Sequence, residues 1–185
     1  MKHELWYSVV VRDRHGKVIS REHRRARSWL RQWNELIFLK VTQVAMSTTF
    51  TDGVSRPQVL KIWDFRLTGA GEGLVIGTGD TAPTINDYAM ETLIADGTGV
   101  GQMSYQSCTV ADSVVSAPHC SFLVARAFIN NSGGLITVRE SGIYSYCGAA
   151  AGTGKVCSIR DVFAVVQGVP NGGAISVDYT LRVTA

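Results

Sequence analysis

The sequence predicts a mainly β protein: an antiparallel β-sandwich, jelly-roll-like, with an N-terminal β-hairpin and one long α-helix. Three observations predict it. From about residue 58 onward the chain breaks into ten short apolar runs separated by Gly, Asn and Asp, among them VLKIWDFRL, CSFLVARAFI and AISVDYTLRV. Runs of that length bounded by turn residues read as strands. Several alternate, with Phe122, Val124, Arg126 and Phe128 on one face and Leu123, Ala125 and Ile129 on the other, the two-residue period of a strand. Only one segment, RRARSWLRQWNELIFLKVTQ, has convincing helical spacing, so the chain suits a sandwich or barrel and not alternating β and α units.

Taken in order, LWYSVVVR, DRHG and KVIS form a β-hairpin with His15 and Gly16 in its turn. Ser28 can N-cap the helix, in which Trp29, Trp33, Leu36, Ile37 and Lys40 recur at three- and four-residue spacing. Leu30, Phe38 and Leu39 widen its apolar surface, which predicts burial on more than one side, either under the domain or by a neighbouring subunit. STTFTDGVSRP, residues 47–57, reads as a loop. The remaining strands are expected at GLVIG, METLI, QMSYQSCTV, SVVSA, LITVRE, GIYSYC and VCSIRDVFAVV, with a single helical turn at APTINDYAM. In FINNSGGLITVRESGIY the Asn131–Gly134 cluster suits a tight hairpin turn. The expected division is residues 1–46, an assembly arm of hairpin and helix, and residues 47–185, the β-sandwich.

Composition sets the class. A chain of 185 residues, 45% hydrophobic and 18% charged, can bury a core and is not disordered. No apolar run approaches the roughly 20 residues that cross a bilayer, and the start, MKHELWYSVVVRDR, lacks a secretory pattern. A soluble protein made in the cytoplasm and without a membrane partner is expected. The Asn130-Asn131-Ser132 sequon is then not a glycosylation site. Positive charge is local: between Arg12 and Arg31 eight cations face two acids, and the rest of the chain is net negative. Trp6, Tyr7, Trp29 and Trp33 interleave with those cations, and aromatic-plus-basic surfaces suit interfaces. The expected interface residues are Trp6, Arg12, Arg21, Arg24, Arg25, Arg27, Trp29, Arg31 and Trp33. Contact with nucleic acid and a plain solvated face are the lesser alternatives.

The stretches that invite chemistry are weak. GAAAGTGKV has Ala149 where a phosphate loop needs Gly and Val156 where it needs Ser or Thr, so it reads as a hairpin loop. GTGDTAP has no lysine, and Asp80, Asp87 and Glu91 lack the spacing of a calcium loop and read as surface acids. His3, His15, His23 and His119 are scattered. Most of Cys108, Cys120, Cys147 and Cys157 read as buried hydrophobes, with a Cys147–Cys157 bridge the alternative. Arg139-Glu140 and Arg160-Asp161 are adjacent pairs whose side chains point to opposite faces of a strand, so one member of each can form a structural ion pair. No catalytic residue, cofactor or metal is assigned. Trp63, Tyr88 and Tyr105 could stack on sugars, which keeps a carbohydrate- or receptor-binding module as an alternative.

RSWLRQWNELI, VIGTGDTAPTINDYAMETLI, GQMSYQSCTV, ARAFINNSGGLITVRESGIY, IRDVF and VPNGGAISVDYTLRVTA follow one another in that order. As a set, from about Ser28 to Ala185, they resemble virion structural proteins encoded among the head and tail genes of tailed bacteriophages. The resemblance implies a non-enzymatic, repeated building block of the virion, assembled in the bacterial cytoplasm. Its partners would be copies of itself and other virion proteins, and its role capsid decoration or cementing, with a tail, neck or fibre-base position as the alternative.

Overall fold

The computed structural model describes residues 2–26, 29–42, 46–58, 67, 71–149 and 152–185. The described chain is mainly β, with antiparallel pairing and one helix. By contact density it divides into two units. Unit 1 holds residues 1–27, 94–139 and 163–185, and unit 2 holds residues 28–93 and 140–162. This differs from the division expected at residue 46, and the strand pairing gives the reason. β1 (Lys2–Arg12) pairs with β2 (Val18–Ala26) on one side and with β12 (Ala174–Thr184) on the other. A strand with a neighbour on each side is the interior of a sheet and not an arm.

Unit 1 is built on the sheet β2-β1-β12-β9, with β9 spanning His119–Ile129. Three short strands line the far side of β9: β6 (Ser104–Tyr105), β7 (Thr109–Val110) and β8 (Val114–Ser116). The alternation read from sequence fixes which face is buried. Leu5, Tyr7, Val9 and Val11 of β1 lie inward with Val124 and Phe128 of β9 and with Ile175, Val177, Tyr179 and Leu181 of β12. Each large apolar side chain so buried contributes about 1.5–3 kcal/mol. Tyr7 carries the contact onward, its ring 5.5 Å from Phe163 and 6.2 Å from Tyr179. The β1–β2 turn is set by Asp13, whose Oδ1 accepts the amides of His15 and Lys17 while Gly16 takes φ +80°.

FINNSGGLITVRESGIY is not a hairpin. β9 belongs to the seven-stranded sheet, whereas the strand after the turn, β10 (Ile136–Ala149), pairs with β5 (Gly73–Gly77) and β11 (Gly152–Val169). The turn is therefore a crossing between sheets, and Asn130 makes it. Fully buried, its Nδ2 donates to the carbonyls of Gly134 and Val169, and its Oδ1 accepts from the amide and hydroxyl of Ser132.

Unit 2 contains β5, the loop-side halves of β10 and β11, and the hairpin β3 (Met46–Thr49) and β4 (Ser55–Gln58) in the stretch expected as a loop. The pairing of β10 with β11 agrees with the hairpin expected around GAAAGTGKV. All five residues of β5 are buried, as a short unbroken apolar run in a strand allows. α1 spans Arg31–Thr42; its expected cap, Ser28, lies outside the described residues. Leu36 packs with Phe50 and Val156, but Ile37 and Phe38 are each 43% exposed. Ile37 and Phe38 are thus not buried within the chain, and a neighbouring subunit is the other cover that the composition suggests. METLI forms no strand, only a bridge from Leu93 to Gly77, and APTINDYAM contains a turn closed by the Asp87 amide on the Thr84 carbonyl and no helix. VLKIWDFRL falls almost wholly outside the described residues.

Candidate functional site: a buried arginine among three carboxylates

Two of the adjacent charge pairs singled out in the sequence meet in unit 2. Glu140 lies in β10 and Arg160 in β11, each inside an apolar run, and both are almost wholly buried. A charge so placed must be paired and hydrogen-bonded to be tolerated. Arg160 Nε donates to Glu140 Oε2 at 2.8 Å, Nη1 to Asp87 Oδ2 at 2.7 Å, and Nη2 to Glu91 Oε2 at 3.2 Å and the Thr81 carbonyl at 3.1 Å. The planar guanidinium thus spends its fork on three carboxylates and one backbone oxygen.

Glu140 is held from its other side by the backbone. Its Oε1 accepts the amides of Gly79 at 3.1 Å and Thr92 at 2.9 Å, and Oε2 accepts the amide of Glu91 at 3.2 Å. Tyr144, one turn of alternation further along β10, accepts the Met90 amide on its hydroxyl at 2.8 Å. Together these bonds satisfy the amides of Gly79, Met90, Glu91 and Thr92 in an irregular segment, residues 79–92, that forms no sheet ladder of its own.

The glycines of GTGD belong to this arrangement. A Cβ on Gly79 would lie 2.5 Å from Glu91 Cβ and 2.6 Å from Glu140 Oε1, and one on Gly77 would lie 2.5 Å from the Thr92 carbonyl. Gly79→Ala is therefore expected to lower stability by about 1–3 kcal/mol, the usual cost of overpacking, which urea denaturation followed by circular dichroism measures. A G79A protein as stable as wild type would show that this approach is not tight.

Electrostatics follow the geometry. Burial alone would raise the Asp87 carboxyl; the Thr84 hydroxyl and amide and the Arg160 guanidinium outweigh it and hold the group below its ordinary value. Glu91 is also held low, first by the Thr81 amide and hydroxyl and then by Arg160. The Cys157 thiol, three residues before Arg160, is pushed well up by burial and stays protonated. Asp87 and Glu91, read from sequence as surface acids, are thus members of an ion network.

Beside the network lies an open cavity of about 290 Å³ lined by Thr81, Asp87, Tyr88, Ala89, Met90, Glu91 and Arg160. Its acids already converge on a guanidinium, and its arginine is bonded through all three nitrogens. Among the described residues no group of three His, Cys, Asp or Glu side chains is placed to hold a metal ion. The arrangement braces the 79–92 segment against β10 and β11.

The sequence-predicted interface residues fall into both units. In unit 1, Trp6 is half-buried and stacks on His23 with ring centres 5.5 Å apart, while Arg12, Arg21, Arg24 and Arg25 are exposed. Arg24 reaches Glu22 at 3.1 Å. In unit 2, Trp29 and Trp33 are half-buried with ring centres 4.5 Å apart, and exposed Arg31 pairs with Glu35 one helical turn on at 3.0 Å. Arg27 lies outside the described residues, as does Trp63. Among the cysteines, Cys108 and Cys157 are buried and free, while Cys120 is free and exposed. The side chain of Cys147 is not described.

Fold and centre together define a β-rich protein with a buried ionic brace. No family model, curated protein or solved structure matches the chain. No described helix is long and apolar enough to cross a membrane.

Proposed function

We propose that the chain is a non-enzymatic structural protein of a tailed-phage virion that decorates or cements the capsid through subunit contacts. A place in the tail, neck or fibre base is the alternative. The observation that supports it most is where the virion-like stretches meet. GTGDTAPTINDYAMET, VRESGIY and IRD each contribute to the brace around Arg160. Their polar residues are consumed in holding shape, the use expected in a building block and not in a catalyst. The jelly-roll-like sandwich belongs to the same proposal, supported by Phe163 of β11 packing on the inner face of the seven-stranded sheet through Tyr7.

The test is particle binding. Purified protein added to phage heads that lack it is expected to cosediment with them at saturating stoichiometry, and electron microscopy is expected to show added density on the head. Protein that stays monomeric and fails to bind such heads overturns the head reading. A second reading, a carbohydrate-binding module, is favoured by one feature: Tyr88 is 44% exposed at the cavity holding Glu91 and Asp87. An aromatic platform beside carboxylate acceptors suits a sugar ring. A glycan array with no signal, or one unchanged by Tyr88→Ala, removes it.

A further inference from the structure

The seven-stranded sheet of unit 1 has a second face. Residues directly opposite in an antiparallel pair share a face, so Asp178 of β12 stands between Ser8 of β1 and Ala125 of β9 on the side away from the core. Trp6 and Leu123 lie in the next row, and Arg21 lies on β2 across from Val10. All of these side chains are half-buried or exposed, so no described element covers the face.

Charge on this face is unbalanced locally. Asp178 makes no hydrogen bond or ion pair among the described residues, and burial alone raises its carboxyl above the ordinary value with no cation or donor opposing. Arg21 is also without a partner among the described residues, and it sits two strands and two residues from Asp178, with which it makes no ion pair in its own copy. The neighbouring cation Arg25 is matched within the copy by Glu4 at 3.7 Å. The face is of mixed sign, with Arg12, Arg21, Arg25 and Arg182 beside Glu4 and Asp178, and a carboxylate at its centre suits a protein surface of mixed sign better than a polyanion. A partner that fits must bring a cation to Asp178 and a carboxylate to Arg21, and a second copy of this chain brings both.

We propose that this face binds the same face of a second copy across a two-fold axis, with Arg21 of each copy seated on Asp178 of the other. β1, β12 and β9 are each 11 residues long. Four strands of about that length present on the order of 700 Å² per copy, close to the roughly 800 Å² per partner of a standard interface. The proposal rests on the reading of the chain as a repeated building block and specifies how one copy meets the next.

The test is a charge swap on the full chain, read by sedimentation equilibrium over a range of concentrations. Wild type is expected to dimerise. Arg21→Asp and Asp178→Arg each place like charges opposite one another and are expected to weaken the dimer about ten-fold or more. The double variant recreates the pair in reverse and is expected to recover most of the loss. Circular dichroism checks folding; Arg21→Asp alters an exposed side chain, so it supplies a folded variant even if Asp178→Arg does not fold. A wild type monomeric at every concentration, an R21D dimer constant equal to wild type, or a folded double variant no tighter than the single ones overturns the proposal. Binding to phage heads, measured in parallel, separates the two readings: a monomer that binds heads defeats only this interface, and a dimer that does not bind them supports the interface while defeating the head assignment.

Discussion

Arg160→Met is expected to destabilise the protein by about 3–5 kcal/mol at neutral pH, the cost of leaving one member of a buried pair behind. Glu140 would then sit fully buried with its guanidinium partner gone, and Asp87 and Glu91 would face one another without the cation between them. Pairing the change with Glu140→Leu tests what the carboxylate is for. Replacing a buried ion pair by apolar residues is often neutral, but here the amides of Gly79, Glu91 and Thr92 would lose their acceptor. The double variant is therefore expected to recover none of the stability. Full recovery would mean that charge pairing alone, and not the capping of the 79–92 segment, is what Glu140 contributes.

The pH dependence of the same variant has a definite sign. Asp87 and Glu91 have folded-state values held below the ordinary ones. Their contribution is fully present above the unfolded values of about 4 and is lost as pH falls through the depressed folded values. Removing Arg160 removes its part of both shifts, so the stability gap between wild type and R160M is expected to narrow between pH 7 and pH 3. Urea midpoints at the two pH values measure it; a gap that widens toward acid contradicts the assignment.

Glu22→Leu is the second large effect, at about 2–4 kcal/mol. Glu22 is buried in β2, where its Oε1 accepts the Tyr7 hydroxyl at 2.7 Å and the Ala164 amide at 3.1 Å, and its Oε2 accepts the Val165 amide and Gln167 Nε2, each at 3.2 Å. Ser20, two residues back on the same side of the strand, donates to Gln167 Oε1 at 2.6 Å. One carboxylate thus joins an edge strand to β11 through two consecutive amides. Leucine fills the space and satisfies none of these donors, each costing about 1–3 kcal/mol where water is excluded and less at 164 and 165, which are exposed. Amide exchange at Ala164 and Val165 is expected to accelerate in the variant more than exchange at Val177. Equal acceleration at all three would show a global loss and not the release of this clamp.

How much was legible follows from the kind of signal each element carries. β1, β9 and β12 announce themselves because each alternates, and alternation is a local property that survives whatever the strand pairs with. The pairing itself is not local. Nothing in LWYSVVVR says that its second neighbour is AISVDYTLRV, more than 160 residues along the chain, so an N-terminal hairpin reads as an arm although it supplies two strands of the seven-stranded sheet. The turn at Asn130–Gly134 was legible as a turn and misread as a hairpin for the same reason: turn chemistry bends the chain without choosing the sheet on the far side. METLI failed differently. It is apolar enough for a strand, but Glu140 takes the Glu91 and Thr92 amides before any ladder can.

The centre around Arg160 left a trace in the sequence. An arginine and a glutamate each embedded in an apolar strand cannot stay unpaired, and Arg160 and Glu140 do pair; the opposite-face argument, by which Arg160 and Asp161 cannot both be core, fails, because both are buried. It could not show that the two chosen members would find each other, or that half-buried Asp87 and exposed Glu91 would reach them from the surface. By itself the sequence determined the class, the strands that alternate, the turns that need Gly or Asn, and the concentration of cations between Arg12 and Arg31. The tertiary structure alone decided strand partners, the burial of the charges and the division of the Trp-bearing segment between two units. The physical reason is range: backbone propensity and side-chain period act over a few residues, whereas a buried charge is placed by partners that the chain brings from far away.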